Sequence, residues 1–304
     1  MRDTFSETLV AATLSNPDVY LLTGDHGYAL FDELRKKSPD RYLNAGIAEQ
    51  NMVGVAAGMA KAGLIPVVYG LAAFVPIRVL EQIKLDICHE NLRVILIGDG
   101  AGVVYSKLGV SHQSFEDMSA LRGVPNIRIM SPCDKQEMKL CMEDALNYKG
   151  PTYIRMGKCD VGNIHTKKLT GVPGMHQLVE GKPGAPIILA TGSMVKAAQD
   201  LIAGEFKDYG LYSVSMIKPF NEAALVKAVA GTPLVITMEE HSVYGGLGGA
   251  VAEITSTFSP KKVLRLGIED KFSDKCGTWD YLMHEHGLDL KGLKAKIQKF
   301  GNNA

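Results

Sequence analysis

The sequence runs to 304 residues, 46% hydrophobic and 22% charged, enough chain for two globular domains with full cores. Thirty-three Lys and Arg balance thirty-three Asp and Glu, so no global field favours nucleic acid or an anionic membrane. Five cysteines, at 88, 133, 141, 159 and 276, form no CxxC pair and read as buried reduced thiols, not as a disulfide or zinc framework.

Short β-rich runs alternate with longer helical stretches, the pattern of an α/β fold: two domains, each a mainly parallel sheet with helices on both faces. The opening Met1-Arg2-Asp3-Thr4-Phe5-Ser6-Glu7 carries no apolar signal core, and the expected compartment is the cytoplasm. A helix is expected over 2–15, a strand over 19–23 and a helix over 29–37. Helix 49–62, strand 65–69, helix 75–87 and strands 94–97 and 127–131 follow. Asp134, after Ser131-Pro132-Cys133, reads as the start of a helix over 135–148. Composition shifts near 160–184, where Gly181-Lys182-Pro183-Gly184 closes a loop-like stretch. The expected boundaries are a first domain over 1–165, a linker over 166–184 and a second α/β domain over 185–304. In the second domain strands are expected over 187–190, 212–216, 234–239 and 263–266. Helices are expected from Met194, over 245–257 and over 291–300.

The chemistry concentrates in residues 46–58, Gly-Ile-Ala-Glu-Gln-Asn-Met-Val-Gly-Val-Ala-Ala-Gly. Glu49 stands at the first turn of a small-residue helix among Ile47, Ala48, Met52 and Val53. A carboxylate there is favoured by the helix dipole alone. An apolar setting also raises a carboxyl pKa and suits acid catalysis near neutrality. Gly54 and Gly58, four apart, permit a close helix crossing. His26 and Tyr28, in Gly24-Asp-His-Gly-Tyr28 after a strand, fall where α/β sheets present ligand loops and read as pocket-lining.

The 46–58 run, with Ser38-Pro-Asp-Arg-Tyr42, Leu71-Ala-Ala-Phe74 and Glu81-Gln-Ile83, resembles the pyrimidine-binding domain of transketolase and deoxyxylulose-phosphate synthase. Ser111-His-Gln-Ser-Phe-Glu-Asp117, Leu121-Arg-Gly-Val-Pro-Asn126 and Ser131-Pro-Cys-Asp134 extend the likeness. Ile217-Lys-Pro-Phe220 and Glu239-Glu-His-Ser-Val-Tyr-Gly-Gly-Leu-Gly248 are similar to the carboxy-terminal domain of the same enzymes. The domain that binds the cofactor's diphosphate is not matched, so the chain resembles the C-terminal subunit of a split transketolase.

The resemblance implies a thiamine-diphosphate enzyme that transfers a two-carbon ketol unit from a ketose, expected to be a phosphate, to an aldehyde. It implies that Glu49 hydrogen-bonds the aminopyrimidine and that Phe74 packs on its face. Leu71 stands where many relatives carry a second aromatic, with Tyr69 as the candidate replacement. His112 would face substrate oxygens and shuttle a proton. Arg155 and Lys158 fall near the family's phosphate-binding arginine. Lys107-Leu108-Gly109 replaces the Glu-Asp-Gly run that helps read sugar hydroxyls in the family.

Gly98-Asp99-Gly100 with Asn126 happens to fit the spacing of the cofactor's metal motif. The resemblance assigns both positions to the pyrimidine domain, so no metal ligand is expected here, and Mg²⁺ is expected mainly on the partner. His241 and Gly245–Gly248 are read as close helix–sheet packing. The implied partner is the N-terminal, diphosphate-binding transketolase subunit in an α₂β₂ assembly. The alternatives are a β subunit of a 2-oxoacid dehydrogenase, which lacks the Phe-Glu-Asp and Leu-Arg-Gly-Val-Pro-Asn arrangement, and a non-catalytic scaffold subunit, against which Glu49, Phe74 and His112 argue.

Overall fold

A computed structural model describes residues 1–158 and 162–302. Cys159 and the first residues of the compositional shift, Asp160 and Val161, lie outside the described residues. The first part of the chain lays down α1 (Arg2–Ser15), β1 (Val19–Thr23), α2 (Asp32–Lys37), β2 (Tyr42–Asn44), α3 (Glu49–Lys61) and β3 (Ile65–Leu71). Then come α4 (Leu80–Gln82), β4 (Ile95–Asp99), α5 (Asp117–Arg122), β5 (Arg128–Met130), α6 (Lys135–Asn147) and β6 (Thr152–Met156). The rest gives β7 (Met175–Val179), β8 (Ile187–Ala190), α7 (Met194–Ala203), β9 (Gly210–Val214), β10 (Met216–Lys218) and α8 (Glu222–Val229). It ends with β11 (Leu234–Ser242), α9 (Leu247–Phe258), β12 (Lys262–Ile268), α10 (Trp279–Glu285) and α11 (Leu290–Asn302).

Two sheets result. The first runs β10-β5-β6-β4-β3-β1-β2 and the second β12-β11-β8-β9-β7. The first is parallel except for β10, which lies antiparallel to β5; the second is parallel except for β7 against β9. The central strands β3 and β4 are buried along their whole length, as strands covered on both faces must be, and their side chains are correspondingly apolar. One face of the first sheet packs under α1 and α6 through Phe5, Leu9, Leu21, Met138 and Met142. The other face shares a core with the second domain, in which Val68, Leu96 and Tyr153 belong with Leu189, Val235 and Leu247.

Three expectations need correction. The helix expected over 75–87 is an irregular run: a 3₁₀ turn at Ile77–Val79, the single turn α4, and a π-helical stretch Ile83–Cys88. Pro76 lacks an N–H and stands just before the first of these turns. The 166–184 stretch read as a linker contributes β7 to the second sheet. The strand expected over 212–216 divides at Ser215, whose N–H donates to the Gly174 carbonyl at 2.8 Å. Before it β9 joins the second sheet; after it β10 crosses back to the first. Cys88, Cys133 and Cys141 are buried as expected, whereas Cys276 is exposed. No helix among the described residues is long and apolar enough to cross a membrane.

Candidate active site

The site forms where the first sheet divides around β1. β2 pairs with β1 on one side and β3 on the other. Loops that leave neighbouring strand ends in opposite directions open a crevice at the carboxyl edge of the sheet. Glu49, the first residue of α3, enters that crevice and is only 3% exposed. Gly24, just past β1, makes room for it: a Cβ there would stand 3.2 Å from the Gly46 carbonyl oxygen and 3.8 Å from Glu49 Cγ. Glu49 Oε2 accepts a hydrogen bond from Arg78 Nη1 at 3.0 Å. Oε1 is buried and has no partner in the chain. An orphaned buried oxygen is an open position for a donor from outside the chain.

Phe74 follows β3 and is half-buried. Its ring centroid lies 5.3 Å from that of His112, edge-on, and 6.3 Å from that of His26. Arg78 follows Phe74 by one turn, its N–H bonded to the Phe74 carbonyl at 3.1 Å, and its guanidinium carbon lies 4.0 Å from the ring centroid. Glu49, Phe74, His112, His26 and Arg78 therefore meet in one place. An acid with a free oxygen beside a phenyl face suits a flat heterocycle that donates a hydrogen bond, and an aminopyrimidine is such a group. Arg78 is a member of the site that no family motif in the sequence singles out. Its spacing of four from Phe74 was a usable signal, since such pairs share one face of a helical turn.

The remaining candidates lie elsewhere or are engaged. Tyr69 is fully buried in the cluster of Phe5 and Phe31, and its hydroxyl donates to Asp99 Oδ2 at 2.8 Å. It does not reach the Glu49 crevice, because β3 turns it to the α1 side of the sheet. Leu71, 6% exposed, closes the end of β3 against β4. Tyr28 is 60% exposed and donates to Asp25 Oδ1 at 2.8 Å. Arg155 is buried and committed to Asp117, so it presents no guanidinium to a phosphate. Lys158 is half-buried, with Nζ 5.8 Å from the centroid of Trp279. Asp99 accepts from the hydroxyls of Tyr69 and Tyr105, each at 2.8 Å, and pairs with Arg2 at 3.3 Å. Asn126 Nδ2 donates to the Cys88 carbonyl instead, so the two residues of the apparent metal motif serve separate local structures.

Residues 1–162 match the family description "Transketolase, pyrimidine binding domain", and residues 183–289 match "Transketolase, C-terminal domain". The chain belongs to the transketolase family. It is similar to one of the subunits of the apulose-4-phosphate transketolase of Actinobacillus succinogenes, with 35% identity over 85% of this chain and 84% of that one. It is likewise 35% identical to a putative transketolase C-terminal section of Methanocaldococcus jannaschii, over 98% of this chain and 95% of the other. The 6-deoxy-6-sulfo-D-fructose transketolase subunit SqwH of Clostridium sp. is 32% identical over 96% of this chain and 92% of its own. A solved structure described as a split gene transketolase, inactive beta4 tetramer, superposes with a TM-score of 0.87 at 31% identity, covering 98% of this chain and 96% of that chain. This chain is thus the C-terminal subunit of a split transketolase, an enzyme of ketol transfer that works with an N-terminal partner subunit.

In this transketolase subunit a buried polar network joins the two domains behind the site. Arg155 Nε donates to both oxygens of Asp117, at 3.1 and 2.8 Å, and Nη2 donates to the Glu240 carbonyl at 2.7 Å. The Tyr153 hydroxyl donates to Asp117 Oδ2 at 2.8 Å. Glu240 accepts from Val103 N–H at 2.8 Å, from Trp279 Nε1 at 3.0 Å and from the Ser193 hydroxyl.

Glu239 accepts from the N–H groups of Leu247 and Gly248, at 2.7 and 2.8 Å, so the start of α9 is capped by the chain's own carboxylate. Burial outweighs those bonds and raises the Glu239 carboxyl to about 7. Burial lowers His241 to about 4; its Nδ1–H donates to the Ser242 carbonyl at 2.8 Å while Nε2 accepts from Ser119 N–H at 3.3 Å, so the ring is neutral. The glycine turn at 245–248 serves packing: a Cβ on Gly246 would collide with the Glu239 carboxylate, and one on Gly248 would lie 2.7 Å from Thr237 Oγ1.

A second buried cluster sits where β5 leads into α6. Asp134 caps α6, its Oδ1 accepting from Gln136 and Glu137 N–H at 3.0 Å. His165 Nδ1 lies 3.3 Å from Asp134 Oδ2, and Nε2 lies 3.7 Å from Glu137 Oε1. Cys133, Glu137 and His165 together have the residue types of a metal site, with one candidate atom from each inside 4.8 Å of the others. Glu137 is already satisfied by Ser213 Oγ at 2.6 Å and Cys133 N–H at 2.8 Å, which makes the cluster a polar staple.

Proposed function

We propose that Glu49 and Phe74 hold the aminopyrimidine of thiamine diphosphate, Glu49 through a hydrogen bond to a ring nitrogen and Phe74 through ring contact. The observation that supports this reading is the buried, unpartnered Oε1 of Glu49 beside the Phe74 face. When bound, the cofactor supplies the electron sink for breaking and remaking a ketose carbon–carbon bond. Glu49 then fixes the ring and governs a proton at its nitrogen, the low-dielectric crevice keeping competing water out. His112, half-buried with Nδ1 3.0 Å from Ser111 Oγ, offers Nε2 to a substrate oxygen or to a proton in transit. His26, with its ring centroid 6.3 Å from that of Phe74, shapes a wall.

The cofactor's diphosphate and its Mg²⁺ are held by the partner subunit, and the assembly is an α₂β₂ heterotetramer of the cytoplasm serving carbohydrate metabolism. The exposed α3 face supports the assembly: a Cβ on Gly54 or Gly58 would meet nothing within 4 Å in this chain, leaving room for a helix from another. The donor is a ketose with an anionic terminus, expected to be a phosphate. Its support is the pair of relatives named for apulose-4-phosphate and 6-deoxy-6-sulfo-D-fructose.

The test is reconstitution. This chain alone should transfer no ketol unit, and the mixture with its N-terminal partner should do so when thiamine diphosphate and Mg²⁺ are added. Glu49→Gln should lower turnover by about 10²–10⁴-fold while the complex still elutes at the same size. Full turnover by the variant would sink the assignment of Glu49, and full turnover by the isolated chain would sink the two-subunit reading.

A further inference from the structure

Arg78 touches both groups that the crevice offers to a ligand, the Phe74 ring and the Glu49 carboxylate, while leaving Glu49 Oε1 open. Its guanidinium lies over the Phe74 ring at 4.0 Å and donates to Glu49 Oε2 at 3.0 Å. A guanidinium is flat, delocalised and rich in N–H donors, so it satisfies an aromatic face and a carboxylate at once. An aminopyrimidine has the same outline: a flat π system with N–H donors on its edge. Glu49 Oε1 stays open to a second donor, so the conflict is over the ring: two flat groups cannot lie on the same face of Phe74 at once. The Arg78 side chain is also 45% exposed, so it can leave for solvent without opening the core.

We propose that Arg78 is a placeholder for the cofactor. In the chain without cofactor it occupies the heterocycle's position and keeps Phe74 and Glu49 aligned; when the cofactor enters, the guanidinium swings out. This inference rests on the cofactor reading above and adds a competitor to it. The apparent affinity for cofactor is the intrinsic affinity multiplied by the fraction of molecules in which Arg78 has left. The Arg78 end of the pair is half-exposed and its cation–π contact is solvated, so the occupied form should outweigh the open form by about three- to thirty-fold.

The experiment measures the dissociation constant of thiamine diphosphate, by equilibrium dialysis with Mg²⁺, for the reconstituted two-subunit complex carrying wild-type chain, Arg78→Ala, Arg78→Lys or Glu49→Gln. Thermal melts and size-exclusion profiles verify that each complex is folded. Arg78→Ala should bind about three- to thirty-fold more tightly than wild type. Arg78→Lys, which keeps the charge but loses the flat stack, should fall between, and it preserves the test if the alanine variant fails to fold. Glu49→Gln should bind more weakly. Weaker or unchanged binding by Arg78→Ala overturns the placeholder and, where Glu49→Gln still weakens binding, leaves the cofactor reading standing. A wild-type complex that binds no cofactor overturns both. A crystal structure of the loaded complex with Arg78 still stacked on Phe74 also overturns the placeholder.

Discussion

Arg155 and Asp117 form a fully buried fork between β6 and α5, with Nε 3.1 and 2.8 Å from the two carboxylate oxygens. The same guanidinium reaches the Glu240 carbonyl of the second domain at 2.7 Å. Its charge is consumed inside the protein, so a position that resembles a phosphate site serves as an interdomain tie.

Arg155→Met should therefore act on stability. Removing one partner of a buried pair strands the other, at a cost of about 3–5 kcal/mol. Urea unfolding followed by circular dichroism should show a loss of that order. A large rise in KM for the sugar donor with stability intact would return Arg155 to the substrate site.

Tyr69→Phe should remove one of two hydroxyl donors to Asp99 while Tyr105 remains. The expected loss is about 0.5–1.5 kcal/mol in unfolding free energy, with cofactor affinity unchanged. A marked weakening of cofactor binding would place Tyr69 in the crevice after all.

Phe74→Ala should weaken cofactor binding in the reconstituted complex, whereas Phe74→Tyr should be tolerated. Ring contacts add about 0.5–1.5 kcal/mol beyond burial, so the loss should be at least about two- to tenfold in affinity. Equal affinity for wild type and the alanine variant would remove Phe74 from the site.

The staple of Asp134 and His165 sets a pH dependence. For Asp134, burial acts upward, but the hydrogen bonds from His165 and from the N–H groups of Glu137 and His165 prevail and hold its carboxyl at about 2. A depressed acid stabilises the fold above its ordinary value of 3.8, and that contribution fades as pH falls through about 2. For His165, burial acts downward, but the bond to Asp134 and the charges of Glu137 and Asp134 prevail and raise it above 6.5. Its contribution is full below 6.5 and fades as pH rises through the raised value. The staple is strongest between about 4 and 6.5. His165→Gln should flatten the alkaline decline in melting temperature, and it should move the acid decline to higher pH as well, because the side-chain bond from His165 is part of what holds Asp134 down. An unchanged alkaline decline would show that another group sets it.

Much of this architecture is legible in the sequence. The small-residue helix 49–62 announces itself because Gly, Ala and Val recur around a lone acid, and Asp134 announces α6 because an Asp two and three residues before free N–H groups is a cap. The fate of Tyr69 is not legible, because β3 is buried on both faces and gives no alternation from which to choose a side. Arg78 is hidden for a related reason. Its contact with Phe74 is local, but its contact with Glu49 spans 29 residues and exists only after β3 has paired beside β1. The division at Ser215 is equally a tertiary event: the strand-like alternation of 211–217 continues through it, and only the pairing of β10 with β5 reveals that the chain changes sheets.

The crossing of β10 back to β5 means that the two lobes are sewn together, not merely tethered. A chain cut at the boundary suggested by composition would strip β5 of its outer neighbour and bare its N–H and C=O groups to any passing strand. A nick near Gly162 should leave two fragments that co-purify, and the amino-terminal piece produced alone should self-associate.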